Sequence, residues 1–162
     1  MALITATEVI SLAFDSGFDK ADKITDLTIE STEWEYIREA LTENLYNDVV
    51  LNTGSEYDNF ITTYLKPCLA YYVKYNSMDN IWMQATNRGI NTPNAENATT
   101  VTSTDKVNYK TSVLNTANVL CNKMIDYVQD QKINEDNELF EDYGSTVDVI
   151  EEKKIIAGIY ID

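Results

Sequence analysis

The chain has 162 residues, 44% of them hydrophobic, which is enough for one domain with a sizeable core. It carries 27 Asp and Glu against 12 Lys and Arg, a formal net charge of −15, which argues against a surface that grips nucleic-acid phosphates. Histidine is missing altogether, and with it the commonest general base, the commonest metal ligand and every Ser-His or Cys-His nucleophile pair.

Taken in chain order, Thr5 and Glu8 have the spacing of a capping box and open a helix that carries Val9, Ile10, Ala13 and Phe14 and stops near Gly17. The preceding residues lack a basic region and Glu8 interrupts the apolar stretch, so neither a signal peptide nor a membrane span is expected there. No window approaches the roughly 18 apolar residues that a span needs. Asp15 to Asp26 is polar and reads as a loop. A second helix is predicted over about Ser31 to Leu51, with Thr32 and Glu35 as a second capping box. At 100° per residue it gathers Trp34, Ile37, Ala40, Leu41 and Leu45 on one face, with Val49 at its edge. Asn52-Thr53-Gly54 is its stop signal.

A third helix is expected from Asp58 towards Met78, with a stripe from Phe60 to Met78 that covers about half its circumference. A stripe that broad predicts a central helix, and Pro67 inside it predicts a kink or a split. Ile81 to Thr86 is a short β-prone run that ends in the turn signal Asn87-Arg88-Gly89. Ile90 to Thr104 is rich in Asn, Thr and Ala, and reads as a loop or loose hairpin. A fourth helix follows over about Thr104 to Gln131, its stripe formed by Val107, Val113, Leu114, Ala117, Leu120, Cys121, Met124, Ile125 and Val128. Cys68 and Cys121 fall among apolar neighbours at helical spacing and are expected to be buried thiols in a reducing cytoplasm. Asn134 to Tyr143 is acidic and irregular, and Ile155 to Ile161 is apolar and β-prone.

The expected fold is therefore mainly α: a four-helix domain with a short β hairpin or loop insertion and an extended C-terminal β-prone arm. Residues 1–131 form the helical body, with the insertion at about 81–104, and 132–162 form an acidic linker and the arm. An apolar strand with free edges is an aggregation hazard, so Ile155–Ile161 needs a partner. That partner is either the Ile81–Thr86 run of the same subunit or, by strand addition, another molecule.

Motifs for chemistry are missing. A calcium loop starting at Asp130 places Glu141 at its twelfth position but has Lys132 at the third and Glu135 where the turn glycine belongs. The five glycines are scattered and form no phosphate-cradling loop. Zinc would need more Cys or His than the chain has. No metal, cofactor or enzymatic activity is expected. Glu35, Glu39 and Glu43 form an i, i+4, i+8 ladder, which is either a solvated face or a surface that must not stick to DNA.

The order of Ala40-Leu41-Thr42-Glu43-Asn44-Leu45-Tyr46-Asn47-Asp48-Val49, Tyr64-Leu65-Lys66-Pro67-Cys68-Leu69-Ala70-Tyr71-Tyr72-Val73, Asn87-Arg88-Gly89-Ile90 and Gly158-Ile159-Tyr160-Ile161 resembles the head–tail connector (adaptor, or ring) proteins of tailed phages. The likeness is to those of Bacteroidetes phages and prophages, including crAss-like phages. It departs from that family where a glycine is frequent between the core of the second helix and the Leu-Tyr pair, since Thr42-Glu43-Asn44 stand there. The resemblance implies a virion protein of the neck that forms a closed ring of roughly twelve copies. It also implies contacts with the portal and other neck or tail proteins, and passage of genomic DNA through the channel without specific binding. Asn87, Arg88, Gly89 and Ile90, with Ile155, Ile156, Ile159, Tyr160 and Ile161, then become the residues expected to reach neighbouring subunits or the portal. Glu35, Glu39 and Glu43 are the candidates for an acidic channel wall. The alternative is an acidic DNA mimic that inhibits a host DNA-binding protein, its carboxylates standing in for phosphates.

Overall fold

In the computed structural model, residues 2–14, 21–82, 84–86, 89–91, 102–133, 138–140, 143, 154–156 and 159–161 are described. The architecture is mainly helical. Helix α1 (Ala6–Ala13) starts on the expected capping box: the Thr5 hydroxyl accepts from the Glu8 amide, and the Glu8 carboxylate accepts from the Thr5 amide at 2.9 Å. Lys66 donates to the same carboxylate at 2.5 Å and holds its pKa below the ordinary range. The other end of α1 is closed by Lys74, whose ammonium donates to the Ala13 carbonyl at 2.7 Å. The rings of Phe14, Tyr71 and Tyr109 stand 4.9, 5.7 and 5.4 Å from that ammonium. A cation at a helix C-terminus complements the dipole, and the ring faces offset part of its desolvation.

The second helix begins earlier than expected. Thr25 is its N-cap, its hydroxyl accepting from the Thr28 amide at 3.2 Å, so part of the predicted Asp15–Asp26 loop is replaced by a turn at Ala21–Lys23 and by this cap. Helix α2 comprises an α-helical stretch (Asp26–Thr32), a π-helical stretch (Glu33–Arg38) and a final α-helical turn (Glu39–Leu41). Thr32, expected as a cap, is buried within it, donating to the Thr28 carbonyl and accepting from the Asn76 amide. An i→i+5 turn advances less about the axis per residue than an α-turn, so the buried face slips in phase. Trp34 is therefore not in the core beside Ile37 and Leu41 but 61% exposed, and Glu33 takes the buried place at 3%.

At Thr42 the chain breaks with φ 69° and ψ 159°, a region in which a Cβ is crowded, and helix α3 (Glu43–Leu51) follows. Asn52 ends α3 in the left-handed conformation, as the stop signal predicted. Its side chain accepts from the Tyr57 amide and donates to Asp58.

Helix α4 runs through an α-helical turn (Asp58–Phe60), a π-helical stretch (Ile61–Leu65) and a long α-helical stretch (Lys66–Trp82). Pro67 does not split it. The Lys66 amide bonds to the Ile61 carbonyl, and this widened turn makes room for the pyrrolidine ring that an α-turn would crowd. The helix absorbs Ile81 and Trp82 from the expected β-prone run. It is central, as its broad stripe predicted, with α1, α2 and the last long helix packed around it.

That last helix, α5 (Ser103–Ile133), is roughly 46 Å long. It starts where the Thr102 hydroxyl accepts from the Asp105 amide while Asp105 accepts from the Thr102 amide and hydroxyl. Val113, Ala117, Cys121, Met124, Ile125 and Val128 are buried as expected, but Val107 and Tyr109 are exposed because the first turns reach past the core. Tyr72 joins three helices: it stacks on Tyr36 at 4.0 Å and donates to Asn118 Oδ1 at 2.8 Å.

The helical body does not end near residue 131. Phe140 packs edge-on against Tyr57, Phe60 and Tyr127, with ring centroids 5.5–5.9 Å away. The Tyr143 hydroxyl donates to the Ala40 carbonyl, and Tyr57 donates to the Leu139 carbonyl at 2.9 Å. The segment expected to be a linker thus returns to the core through two aromatic anchors. The short strands pair locally and antiparallel. Strand β1 (Gln84–Thr86) pairs with β2 (Gly89–Asn91), and β3 (Lys154–Ile156) with β4 (Ile159–Ile161), in the register Ile156↔Ile159. Among the described residues of the C-terminal segment β3 pairs with β4 and not with β1, and β3 lies beside α5 of its own chain. A one-strand reading missed that only Ala157 and Gly158 separate the two halves, a spacing that suits a hairpin turn.

Candidate interaction surfaces

Large apolar side chains are exposed on several helices: Leu12 on α1, Leu27 and Trp34 on α2, Leu51 on α3, and Val107, Tyr109, Val119 and Ile133 on α5. On α2, Leu27 and Trp34 are 74% and 61% exposed. The Arg38 guanidinium stacks 3.8 Å over the Trp34 ring and is ion-paired with Glu43 at 2.7 Å, so it links the end of α2 to the start of α3. From Asp26 to Leu51 this region carries Asp26, Glu30, Glu33, Glu35, Glu39, Glu43 and Asp48, with Arg38 as its only base.

The Glu35–Glu39–Glu43 ladder is not one helical face. The π-helical stretch shifts Glu35 relative to Glu39, Thr42 breaks the helix before Glu43, and Glu43 is partly neutralised by Arg38. All three remain exposed. Burial pushes the neighbouring Tyr36 hydroxyl up to about 12, and the Glu35 charge adds to the shift.

Beneath this surface Glu33 fixes the entry of the chain. Its carboxylate accepts from the Leu3 amide at 2.9 Å and from the Tyr46 hydroxyl at 2.6 Å, tying the N-terminal segment, α2 and α3 together. Burial and the Glu33 hydrogen bond raise the Tyr46 pKa well above its ordinary value. Glu33 lies at i−4 from Ile37 and i−8 from Leu41, a spacing that marks it as a core-facing acid once the helix is started at Asp26.

On α5, Val107 and Val119 are exposed on different sides of the helix, which carries Lys106, Lys110, Lys123 and Lys132 against Asp105, Asp126 and Asp130. Lys110 is ion-paired with Asp79 and sits 4.9 Å from the Tyr75 ring, while Lys106 lies over Trp82 at 5.8 Å.

Of the expected contact residues, Gly89 and Ile90 lie in β2, Ile155 and Ile156 in β3, and Ile159, Tyr160 and Ile161 in β4. Asn87 and Arg88 fall outside the described residues, as does most of the Asn/Thr-rich segment after Asn91.

A family model matches residues 24–147, and its description is a family of unknown function, DUF6712. The chain belongs to that family. The matched span runs from just before α2 to just past Tyr143, so it takes in both aromatic anchors that complete the core. No curated protein and no solved structure matches the chain.

Among the described residues no cluster of Cys, Asp and Glu is arranged to hold a metal ion, and no helix is long and apolar enough to cross a membrane. Cys68 and Cys121 are buried free thiols, as expected, and they meet across the α4–α5 contact. Burial pushes the Cys68 thiol well above its usual range, and its hydrogen bond with Cys121 adds to this.

Proposed function

We propose that the chain is a non-enzymatic structural subunit of a virion neck: a head–tail connector that assembles as a ring between portal and tail and lets genomic DNA pass through its channel. The observation that carries this reading is the charge of the exposed body. Six acids on α2 and α3 face solvent with a single base among them, and such a wall repels phosphate and prevents static binding. The sequence resemblance to phage connectors supplies the context in which that property is useful.

The β1–β2 pair and the β3–β4 pair serve in this reading as the hairpin insertion and the C-terminal arm. Each has three residues per strand, too few to be stable alone, so each is expected to gain packing or a further strand from a neighbouring subunit or the portal. The DNA-mimic alternative has less support. A mimic needs acids at backbone-like intervals on one continuous face, and the Glu35–Glu43 series is broken at Thr42 and capped by Arg38.

The test is coexpression with a portal protein of a Bacteroidetes phage, followed by affinity purification through the portal and electron microscopy. A coaxial ring of this chain on the portal is the expected result. Failure to associate with the portal, together with salt-sensitive inhibition of a DNA-binding enzyme, would replace the connector reading with the mimic.

A further inference from the structure

We infer that Cys68 and Cys121 form an oxidation site: a peroxide closes them into a disulfide that ties α4 to α5, and Tyr143 controls access to it. The inference stands apart from the neck-ring reading.

The register of the two helices sets the sulfurs opposite one another. Tyr64 of α4 stacks on Tyr127 of α5 at 4.2 Å, Tyr72 donates to Asn118 at 2.8 Å, and Asp79 pairs with Lys110. Contacts that climb α4 while descending α5 mark an antiparallel pair. Cys68 lies one turn from both Tyr64 and Tyr72, and Cys121 lies between Asn118 and Tyr127, so the two cysteines occupy one level of the contact. Both are fully buried, and their thiols share a hydrogen bond. Ala117, one turn from Cys121, is fully buried too and adds no bulk that would hold the helices apart. Cysteines opposed across a close contact need little movement to join, whereas cysteines that point apart cannot be bridged without moving the backbone.

Entry is controlled from the C-terminal side. Tyr143 is buried, and it is held by the hydrogen bond from its hydroxyl to the Ala40 carbonyl. Burial pushes that hydroxyl up to about 12, and the neighbouring Cys121 adds to the shift, so the ring stands beside the thiol pair as a cover. When the cover opens, the Cys121 sulfur attacks one oxygen of hydrogen peroxide, breaking the O–O bond. Cys121 becomes a sulfenic acid, and the departing hydroxide takes the thiol proton as water. The Cys68 sulfur then attacks the sulfenic sulfur and expels its hydroxide, which leaves with the Cys68 proton as a second water. Two thiols and one peroxide thus give one disulfide and two waters, the peroxide being reduced.

The experiment treats the full chain with hydrogen peroxide, stops the reaction with catalase, and alkylates the remaining thiols in denaturant before peptide mapping. The expected product is a monomer in which the Cys68 and Cys121 peptides are joined and lighter by two hydrogens than the reduced pair. Its Tm is expected to rise by about 5–10 °C, because the bond closes a loop of about fifty residues, and to return after treatment with dithiothreitol. Tyr143→Phe keeps the ring and removes only the hydroxyl, so it should close about fivefold faster, the factor set by one lost hydrogen bond. Circular dichroism checks that this variant is as helical as the wild type.

Thiols that survive peroxide in the folded chain while the urea-unfolded chain consumes them would overturn the site. So would sulfinic or sulfonic acids in place of the disulfide, or covalent dimers. Equal rates in wild type and Tyr143→Phe would overturn the role of Tyr143 as the cover.

Discussion

Replacing Thr42 with glycine should make this protein more stable, against the usual cost of glycine beside a helix. Thr42 joins α2 to α3 with φ 69° and ψ 159°, a region populated almost only by glycine, and it makes no side-chain capping hydrogen bond that the substitution would remove. Holding a β-branched residue there costs about 1–3 kcal/mol. Glycine relieves that strain but adds about 0.5–1 kcal/mol of conformational freedom to the unfolded chain. The difference predicts a net gain of about 0.5–2 kcal/mol, and a chain of this size gains about 2–4 °C in Tm per kcal/mol. Urea unfolding followed by circular dichroism and by tryptophan fluorescence measures it. Thr42→Ala is the control: it keeps the Cβ and should show no gain. A Thr42→Gly protein less stable than the wild type would show that residues 41–43 run as ordinary helix, and the strain argument would fall. The segment is also where the connector resemblance leads one to expect a glycine, so this substitution tests the local backbone that the likeness implies.

Glu33→Ala should cost about 2 kcal/mol, because it leaves the half-buried Leu3 amide and Tyr46 hydroxyl without their acceptor. Glu33→Gln, which keeps an acceptor oxygen, should cost clearly less; equal losses in denaturant titration would mean that packing alone sets the effect. Phe140→Ala should cost about 3–5 kcal/mol, and truncation after residue 131 should destabilise the body while truncation after 147 does not. A stable, cooperatively unfolding 1–131 fragment would refute the aromatic anchoring. Glu8 has its folded pKa below its unfolded value, chiefly through the Lys66 hydrogen bond. Its contribution is therefore present above the unfolded value, about 4.3, and lost as pH falls through the folded one. Glu8→Gln keeps an acceptor for the Thr5 amide and removes only the charge, so it should cost about 0.5 kcal/mol at pH 7, the ion pair being partly exposed. A cost that persists unchanged at about pH 3 would assign it to something other than ionisation.

Much of the helical layout was legible in the residues. The Thr5–Glu8 box, the Asn52 stop, the central position of the Phe60–Met78 stripe and the buried part of α5 from Val113 to Val128 all follow from local rules: a side chain within reach of a free amide, or apolar residues repeating with the helical period. The acidic character of α2 and α3 was equally plain, since charge is carried by the residues themselves.

Phase and closure were not legible, because both depend on distant contacts. Packing on α4 sets the π-helical stretch at Glu33–Arg38, and that stretch turns Trp34 outward and Glu33 inward; no period of 3.6 contains it. The same holds for Phe140 and Tyr143, which look like part of an acidic tail until Tyr57, Phe60 and Tyr127 are assembled to receive them. Sequence alone determined where most of the helices lie and which of them are acidic. Only the tertiary structure decided which residues those helices bury, because burial is a property of neighbours rather than of the chain.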